Sequence, residues 1–232
     1  MASTVGTKEL RSRTSVLAVE QATFIPDGPQ MGLAAVAKRA IDIVGALVVL
    51  TVLAPLFIVI AIAIVLESGW PVIFAQKRLG QGGREFTVYK FRSMARDAEA
   101  RLAEVREHND VPDGPIFKWK EDPRITKVGR FLRRTSLDEL PQLWNVLLGN
   151  MSLVGPRPPL LSEVLEYEAW QLGRLAVKPG MTGLWQVSGR SNLTFTEMVE
   201  LDIAYVESWS IKRDIVLLLK TPLAVLTARG AY

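Results

Sequence analysis

The sequence contains no cysteine and only one histidine, His108. The absence of cysteine excludes disulfide bonds, thiolate nucleophiles and zinc sites with cysteine ligands. A single histidine excludes a metal site built from several histidines, and it leaves His108 as the only candidate for the histidine of a serine triad. We expect this residue to cap a surface helix rather than to act in catalysis. Acid, base and metal chemistry therefore falls mainly to carboxylates.

The composition indicates anionic partners and contact with a membrane. The chain of 232 residues carries a formal net charge of +4, and 49% of its residues are hydrophobic. The positive charge suits phospholipid headgroups or nucleoside diphosphates. Nucleic acid would suit it equally, but no recognised nucleic-acid motif is visible, so we expect no such partner.

A nearly uninterrupted apolar run, 40–66, is long enough to cross a bilayer, which takes about 20 residues. The basic residues that flank it are Lys38, Arg39, Lys77, Arg78 and Arg84. Because they stand at both ends, the positive-inside rule places both ends on the cytoplasmic side. Pro55 lies in the middle, where it removes a hydrogen bond and kinks a helix. We predict a re-entrant membrane helix over 32–69, kinked at Ala54 and Pro55, with a straight span as the alternative.

Other segments complete the expected membrane-facing and flexible parts. Residues 1–31 lack an apolar leader segment and are predicted to form a flexible tail. Asp42 lies close to the start of the membrane helix, where we expect it to face the headgroups. A last helix over 212–228 has an apolar portion too short to cross a bilayer and contains Lys220 and Pro222. It is predicted to lie at the interface, and a buried core helix is the alternative.

One short stretch places two adjacent carboxylates, Asp138 and Glu139, before a predicted helix. The apolar residues that set the helical spacing are Leu140, Leu143, Trp144, Leu147 and Leu148. Gly149 ends this helix. Either Ser136 caps it and Glu139 completes a capping box, or Asp138 caps it with Pro141 inside the first turn. We prefer the second start, because Pro141 then forfeits no hydrogen bond.

The cations around this helix suit chemistry at phosphate groups. They are Arg124, Lys127, Arg130, Arg133, Arg134 and Arg157. Phosphoryl transfer needs an ionised carboxylate, a second carboxylate to help hold Mg²⁺, and guanidinium groups for the phosphate oxygens. First-turn acids and a solvated basic face are the ordinary alternative. Asp122 is either a turn residue before Pro123 or a further acid near the metal.

Several long motifs resemble those of the bacterial sugar transferase family, the monotopic polyprenyl-phosphate phosphoglycosyl transferases that start exopolysaccharide and O-antigen repeat units. The motifs are RLGQGGREFTVYKFRSM (78–94), DELPQ (138–142), GPRP (155–158) and KPGMTGLWQVSGRS (178–191). The resemblance covers most of the chain, and it implies that Asp138 is the nucleophile and that Glu139 helps to bind Mg²⁺. Both are therefore candidate metal ligands. Family members kink the membrane helix at a Ser-Pro pair, whereas Ala54 precedes Pro55 here.

The resemblance also implies an activity and a location. It implies transfer of a sugar 1-phosphate from a UDP-sugar, with UDP-glucose or UDP-galactose favoured, to undecaprenyl phosphate through a covalent phospho-aspartate, with release of UMP. The candidates to hold substrate phosphates are Arg133, Arg157, Lys90, Arg92 and Arg190. The implied setting is a homodimer at the cytoplasmic face of the bacterial inner membrane. The alternatives are a non-catalytic basic scaffold that binds anionic lipid and a direct glycosyltransferase that releases nucleoside diphosphate.

The expected fold is mostly α with a small β-hairpin: a re-entrant membrane helix hairpin plus a compact cytosolic α/β catalytic domain (70–232) with interfacial amphipathic helices. The hairpin strands are predicted at 72–76 and 85–91 around a glycine-rich turn, with Lys90 and Arg92 on one face. The predicted helices after it are a surface helix over 93–108, a helix over 159–176 with Glu163, Glu166 and Glu168 outward, and a helix that begins at a Thr194–Glu197 capping box. Residues 178–191 form a loop or a strand pair.

Overall fold

The computed structural model describes residues 32–105, 108–110, 114–116, 119–189 and 193–227, and most of them are helical. The helices are α1 (Gly32–Val52), α2 (Ala54–Ser68), α3 (Leu102–Val105), α4 (Lys127–Arg134), α5 (Gln142–Leu148), α6 (Leu161–Val164), α7 (Leu184–Ser188), α8 (Phe195–Glu207) and α9 (Ile211–Thr227). The strands are β1 (Ile73–Leu79), β2 (Glu85–Phe91), β3 (Ser152–Val154) and β4 (Gly180–Thr182). Short 3₁₀ segments cover Gln81–Gly83, Leu137–Glu139 and Ala169–Ala176. The predicted tail and Arg190 lie outside the described residues.

Helices α1 and α2 form a bent pair with an angle of 62° between them. Among the described residues no single helix is long and apolar enough to cross a membrane, but this pair passes the same test of length and composition together. The break falls at Leu53, and Pro55 sits in the first turn of α2, where its missing amide hydrogen is tolerated. The predicted kink is therefore confirmed.

One face of α1 packs into the protein. Lys38 and Asp42 are buried, and the Nζ atom of Lys38 lies 2.6 Å from Oδ2 of Asp214 on α9. Asp42 accepts hydrogen bonds from the hydroxyl of Ser152 and the amide of Leu153, both at 2.9 Å. The expectation that Asp42 faces headgroups is therefore wrong, because its carboxylate satisfies buried donors at β3.

Arg39 is also turned inward from its predicted flanking position. Its guanidinium donates to the carbonyls of Val146 and Leu147 at 2.6 and 2.8 Å. These carbonyls belong to the last turn of α5, where the Val146 carbonyl also accepts from the amide of Gly149 at 3.0 Å. Arg39 and the buried side of α1 thus tie the bent pair to the helix that follows the two carboxylates.

The β-hairpin brings its second strand next to those carboxylates. β2 has its predicted bounds. β1 begins at Ile73, one residue after the predicted start, and ends at Leu79, three residues after the predicted end. The turn between the strands includes Gly82 and Gly83, with φ angles of 65° and 71° that favour glycine. Register pairs Phe74 of β1 with Lys90 of β2.

Three predicted elements differ from the structure. Among the described residues of 93–108 the α-helical ones are those of α3, and 159–176 divides into α6 and a 3₁₀ segment. Residues 178–189 form neither a loop alone nor a strand pair, because β4 pairs in parallel with the distant β3 and is followed by α7. A parallel partner 28 residues away in sequence (Ser152 with Gly180) leaves no local signal.

The last two helices agree better with the sequence. The capping box of α8 is confirmed: the amide of Glu197 donates to the Thr194 hydroxyl at 3.2 Å, and the Thr194 amide donates to the Glu197 carboxylate at 2.8 Å. On α9 one side is buried, including Leu217, while Leu219 and Leu223 on the other side are 75% and 65% exposed. One side of α9 therefore belongs to the core, and its outer face is mostly apolar but also exposes Lys212 and Lys220.

Candidate active site

The adjacent carboxylates lie in a 3₁₀ turn, Leu137–Glu139, which we call the dyad turn. α5 begins only at Gln142, with Pro141 in the capping position, so Asp138 does not cap the helix. Ser136 has a left-handed φ of 55° and makes no side-chain cap, so the capping box is absent as well. Both predicted starts are wrong, because the backbone bonds that lead into α5 join residues three apart, from Glu139 to Ser136 and from Leu140 to Leu137, so the chain is 3₁₀ rather than α-helical there. Gly149 ends α5 as predicted.

Asn145 of α5 holds β2 against the dyad turn. Its side chain is fully buried, accepts from the amide of Tyr89 at 3.1 Å and donates to the carbonyl of Thr87 at 2.6 Å. These two bonds continue the hydrogen bonding of a strand edge and fix the position of β2 along α5. Lys90 follows directly, and its Nζ atom lies 2.6 Å from Oε1 of Glu139.

The two carboxyls have different protonation behaviour. Burial raises the pKa of Asp138 to about 6, and the charge of Glu139 adds to this effect, while Lys90 and Arg133 oppose it. Burial acts in the same direction on Glu139, but the charge and hydrogen bond of Lys90, with two nearby arginines, hold its pKa below the usual value. Glu139 is therefore the carboxylate that stays charged, and Asp138 is the one whose charge changes just below neutral pH.

The predicted cations occupy different places. Arg157 is one of the arginines that lower the pKa of Glu139, and its Nη1 atom lies 3.4 Å from Oε2 of Glu163. Arg133 acts on Asp138 and lines a cavity of about 430 Å³ with other cations of α4. The structure thus brings Lys90, Arg133 and Arg157 together around the dyad turn.

Arg92 makes its described contacts elsewhere. Its guanidinium donates to the hydroxyl of Ser68 at 2.8 Å and to the carbonyl of Gly69, at the end of α2. Lys90 and Arg92 therefore contact different partners, although both were predicted on one strand face. Because Arg92 follows the last residue of β2, alternation along the strand no longer governs its direction. A substrate role for Arg92 stays a prediction, and Arg190 lies outside the described residues.

Sequence reasoning missed two charged residues beside the dyad. Arg78 is buried, donates to the carbonyl of Pro158 at 2.7 Å, and is the second arginine that lowers the pKa of Glu139. Burial and the charge of Arg157 lower its own pKa to about 10. Glu163 was predicted to face solvent, but it is buried between Arg157 and the amide of Leu160, which donates to its carboxylate at 2.9 Å.

A buried ion pair supports the loop that carries Arg157. Arg174 donates to Asp202, and both side chains are almost fully buried. Asp202 also interacts with the backbone amide of Arg157, and Arg174 donates to the hydroxyl of Tyr167 at 2.9 Å. Removing either partner of such a pair leaves an uncompensated buried charge, so the pair holds this region in one arrangement.

Two other residues discussed from the sequence, Asp122 and His108, contact other groups. Asp122 binds the Arg124 guanidinium at 2.6 and 2.9 Å, and its carbonyl accepts from the Ile125 amide, so it serves as a turn residue. His108 packs against the ring of Trp119 at 4.5 Å between centroids, and the helix it was predicted to cap ends at Val105.

The donor set for a metal is small. In the part of the chain that the structure describes, no group of three or more acidic, histidine or cysteine side chains is placed to hold an ion. Asp138 and Glu139 supply two carboxylates, which is the number Mg²⁺ commonly takes from a protein when substrate phosphates and water complete its shell. Their chemistry fits Mg²⁺.

A buried aspartate, an ion-paired glutamate and arginines close to both suit an enzyme that works on phosphate groups. Comparison with known proteins identifies the class: the model of the bacterial sugar transferase family matches residues 33–228. The chain therefore belongs to the bacterial sugar transferase family.

Three relatives show how much of the chain is shared. Galactosyl transferase CpsE of Streptococcus agalactiae serotype III is 49% identical over 199 residues, which is 84% of this chain and 43% of the relative. Undecaprenyl-phosphate galactose phosphotransferase of Salmonella typhimurium is 45% identical over 198 residues, 84% of this chain and 41% of the relative. Exopolysaccharide production protein ExoY of Rhizobium meliloti is 39% identical over 216 residues, 90% of this chain and 95% of the relative. The chain thus spans less than half the length of the first two.

Proposed function

We propose that the protein is a phosphoglycosyl transferase that moves a hexose 1-phosphate from a UDP-hexose to polyprenyl phosphate. The observation that carries this proposal is the dyad turn, where Asp138 is buried beside a glutamate that Lys90 pairs at 2.6 Å. The names of the relatives, which include an undecaprenyl-phosphate galactose phosphotransferase, support the same reaction class. UDP-glucose and UDP-galactose are the favoured donors.

The reaction proceeds in two displacements at one phosphorus atom. The Asp138 carboxylate attacks the phosphorus that bears the sugar, the bond from that phosphorus to the UMP oxygen breaks, and UMP leaves with the electron pair. A phosphate oxygen of the polyprenyl acceptor then attacks the same phosphorus and releases Asp138 as a carboxylate. Arg133 and Arg157 hold phosphate oxygens, and Lys90 keeps Glu139 charged and in place.

Magnesium is part of the proposal. Glu139 and Asp138 would hold the ion, which neutralises phosphate charge when it is bound. Lys90 donates to Oε1 of Glu139, so Lys90 also fixes the orientation of the carboxylate that would serve as a ligand.

The proposed location is the cytoplasmic face of the bacterial inner membrane, with α1 and α2 as a re-entrant hairpin. The support is the 62° bend and the exposed apolar side chains on both helices, such as Val48 and Ile62 at 55% and 53%. The apolar outer face of α9 extends this surface. The expected homodimer rests on the family resemblance, and light scattering in lipid nanodiscs tests it.

The deciding experiment replaces Asp138 with Asn and identifies the nucleotide released from UDP-hexose. We expect the wild-type protein to release UMP and to form a sugar-phosphate adduct on the peptide that contains Asp138, detected by mass spectrometry. D138N should lose both. The matched control is Asp97→Asn, which changes an exposed acid. Release of UDP would instead show direct glycosyl transfer, and lipid binding with no nucleotide release would show a scaffold.

A further inference from the structure

A second cavity, of about 260 Å³, adjoins the dyad turn on the side of α1 and α9. Among its described lining residues, Glu139 is the only charged side chain. Most of the others are apolar: Val49 comes from α1, Leu140 and Leu143 come from the dyad side, and Leu218 comes from α9. The cavity is therefore apolar along most of its wall and meets charge at one place, the active-site glutamate.

Several polar groups in the wall are paired within the protein, and Gln186 is paired on one side only. Its Nε2 atom donates to the carbonyl of Met181 at 3.0 Å, whereas its Oε1 atom is buried without a hydrogen-bond partner among the described residues. The hydroxyls of Thr182 and Thr221 lie 2.8 Å apart, and the Thr221 hydroxyl also donates to the carbonyl of Leu217 at 2.7 Å. Thr135 donates to the carbonyl of Phe131 at 2.8 Å. A hexose carries a hydroxyl on nearly every carbon and needs partners for them, so this wall suits a hydrocarbon better.

The helices that form the cavity are the ones with exposed apolar faces. Val48 and Val52 of α1 are 55% and 68% exposed, next to the lining residue Val49. On α9, Leu219 and Leu223 are exposed, while Leu218 and Ala224 face the cavity. α9 also exposes Lys212 and Lys220. An apolar chain that enters between these two helices meets mostly apolar side chains along the cavity until it reaches Glu139.

We propose that this cavity binds the isoprene units next to the phosphate of the polyprenyl acceptor. The acceptor and the protein agree in polarity along their length. The apolar chain lies along the apolar cavity, and the phosphate beyond it reaches Arg133, Arg157 and Lys90 around the dyad. The inference rests on the proposed function for the identity of the acceptor. It adds that α1 and α9 select the lipid, whereas the cations select its phosphate.

The first test narrows the cavity in the full chain, reconstituted in nanodiscs. Ala224→Phe adds a ring on the cavity side of α9, and Leu223→Phe adds the same ring on the exposed side. We expect A224F to raise the KM for undecaprenyl phosphate at least tenfold and to leave unchanged the UMP released before acceptor is added. L223F should stay within twofold of wild type in both measurements. An unchanged KM in A224F would overturn the proposal.

A second test does not depend on the folding of one variant. A polyprenyl phosphate with a photoreactive group on its second isoprene unit is bound to the wild-type protein and irradiated. Crosslinks in 137–143 or 218–225 support the cavity, and crosslinks confined to the exposed faces of α1 and α2 overturn it.

If A224F does not fold, Val49→Phe takes its place. Failure of the proposed function is distinguishable, because the wild-type protein would then release no UMP from any UDP-hexose.

Discussion

Replacing Lys90 with Met isolates the charge that sets the protonation of the dyad. The Nζ atom lies 2.6 Å from Oε1 of Glu139, and the two side chains are 26% and 32% exposed. Two unit charges about 4 Å apart interact by about 4 kcal/mol at an effective dielectric constant of about 20. Because solvent reaches both side chains, we take about 1.4–2.7 kcal/mol, which is one to two pKa units.

The direction follows from the charges around Asp138. Lys90 lowers the pKa of both carboxyls, so its removal makes each of them easier to protonate. With a pKa of about 6, Asp138 is charged at neutral pH and becomes protonated as the pH falls below that value. In K90M the acid side of the activity profile, which follows Asp138, should move up by about one pH unit, because Lys90 acts on Asp138 through its charge alone and bonds directly only to Glu139. At pH 7 the nucleophile would then be about half protonated rather than mostly charged.

The assay is single-turnover release of UMP from UDP-hexose between pH 5 and pH 9, at one magnesium concentration. Lys77→Met is the matched control, because Lys77 forms an exposed ion pair with Glu85 on the same hairpin and its side chain is 78% exposed. We expect the control profile to superimpose on that of the wild-type protein. If the K90M profile superimposes as well, Lys90 does not govern the charge of the dyad and the electrostatic argument is wrong.

Two further predictions concern the buried ion pair between Lys38 of α1 and Asp214 of α9, and the metal. Asp214→Asn removes the closer of the two carboxylates at the buried ammonium of Lys38, while Asp42 remains at 4.0 Å. It should lower stability by about 1–3 kcal/mol, measured as the shift of the thermal transition in detergent. D97N at an exposed acid should leave the transition in place, and an equal shift in both variants would contradict the role of this ion pair. Chelation with EDTA should abolish UMP release and added Mg²⁺ should restore it, whereas release that persists in EDTA would show that the dyad works without a metal.

Local patterns predicted the elements that depend on neighbours along the chain. Pro55 in an apolar run indicated a kink, and the structure breaks the helix beside it because proline lacks an amide donor. Gly149 ends α5 in the left-handed conformation that glycine favours. The Thr194–Glu197 spacing predicted a capping box, which needs only residues three apart. In each case the cause lies within a few residues.

The partners of the buried charges were not predictable in this way. Asp42 was expected at a polar surface, yet it satisfies buried donors of Ser152 and Leu153, which lie more than 100 residues away. Glu163 was also expected outward, although the groups that bind it, the amide of Leu160 and the guanidinium of Arg157, are close to it in sequence. Sequence shows that such a residue is charged, but not which distant group will remove it from water. Arg78 was missed for the same reason, because its partner, the carbonyl of Pro158, is 80 residues away.

The sequence by itself determined the family motifs, the apolar run with its break, and the identity of the two adjacent carboxylates. Only the tertiary structure decided which cations meet them: Lys90 reaches Glu139 because Asn145 holds β2 against α5, and Arg92 turns to the end of α2. It also decided that Asp138 is buried, and hence that the pKa values of the pair differ. The physical reason is that burial and Coulomb energy depend on distances in space, which the order of residues along the chain does not specify.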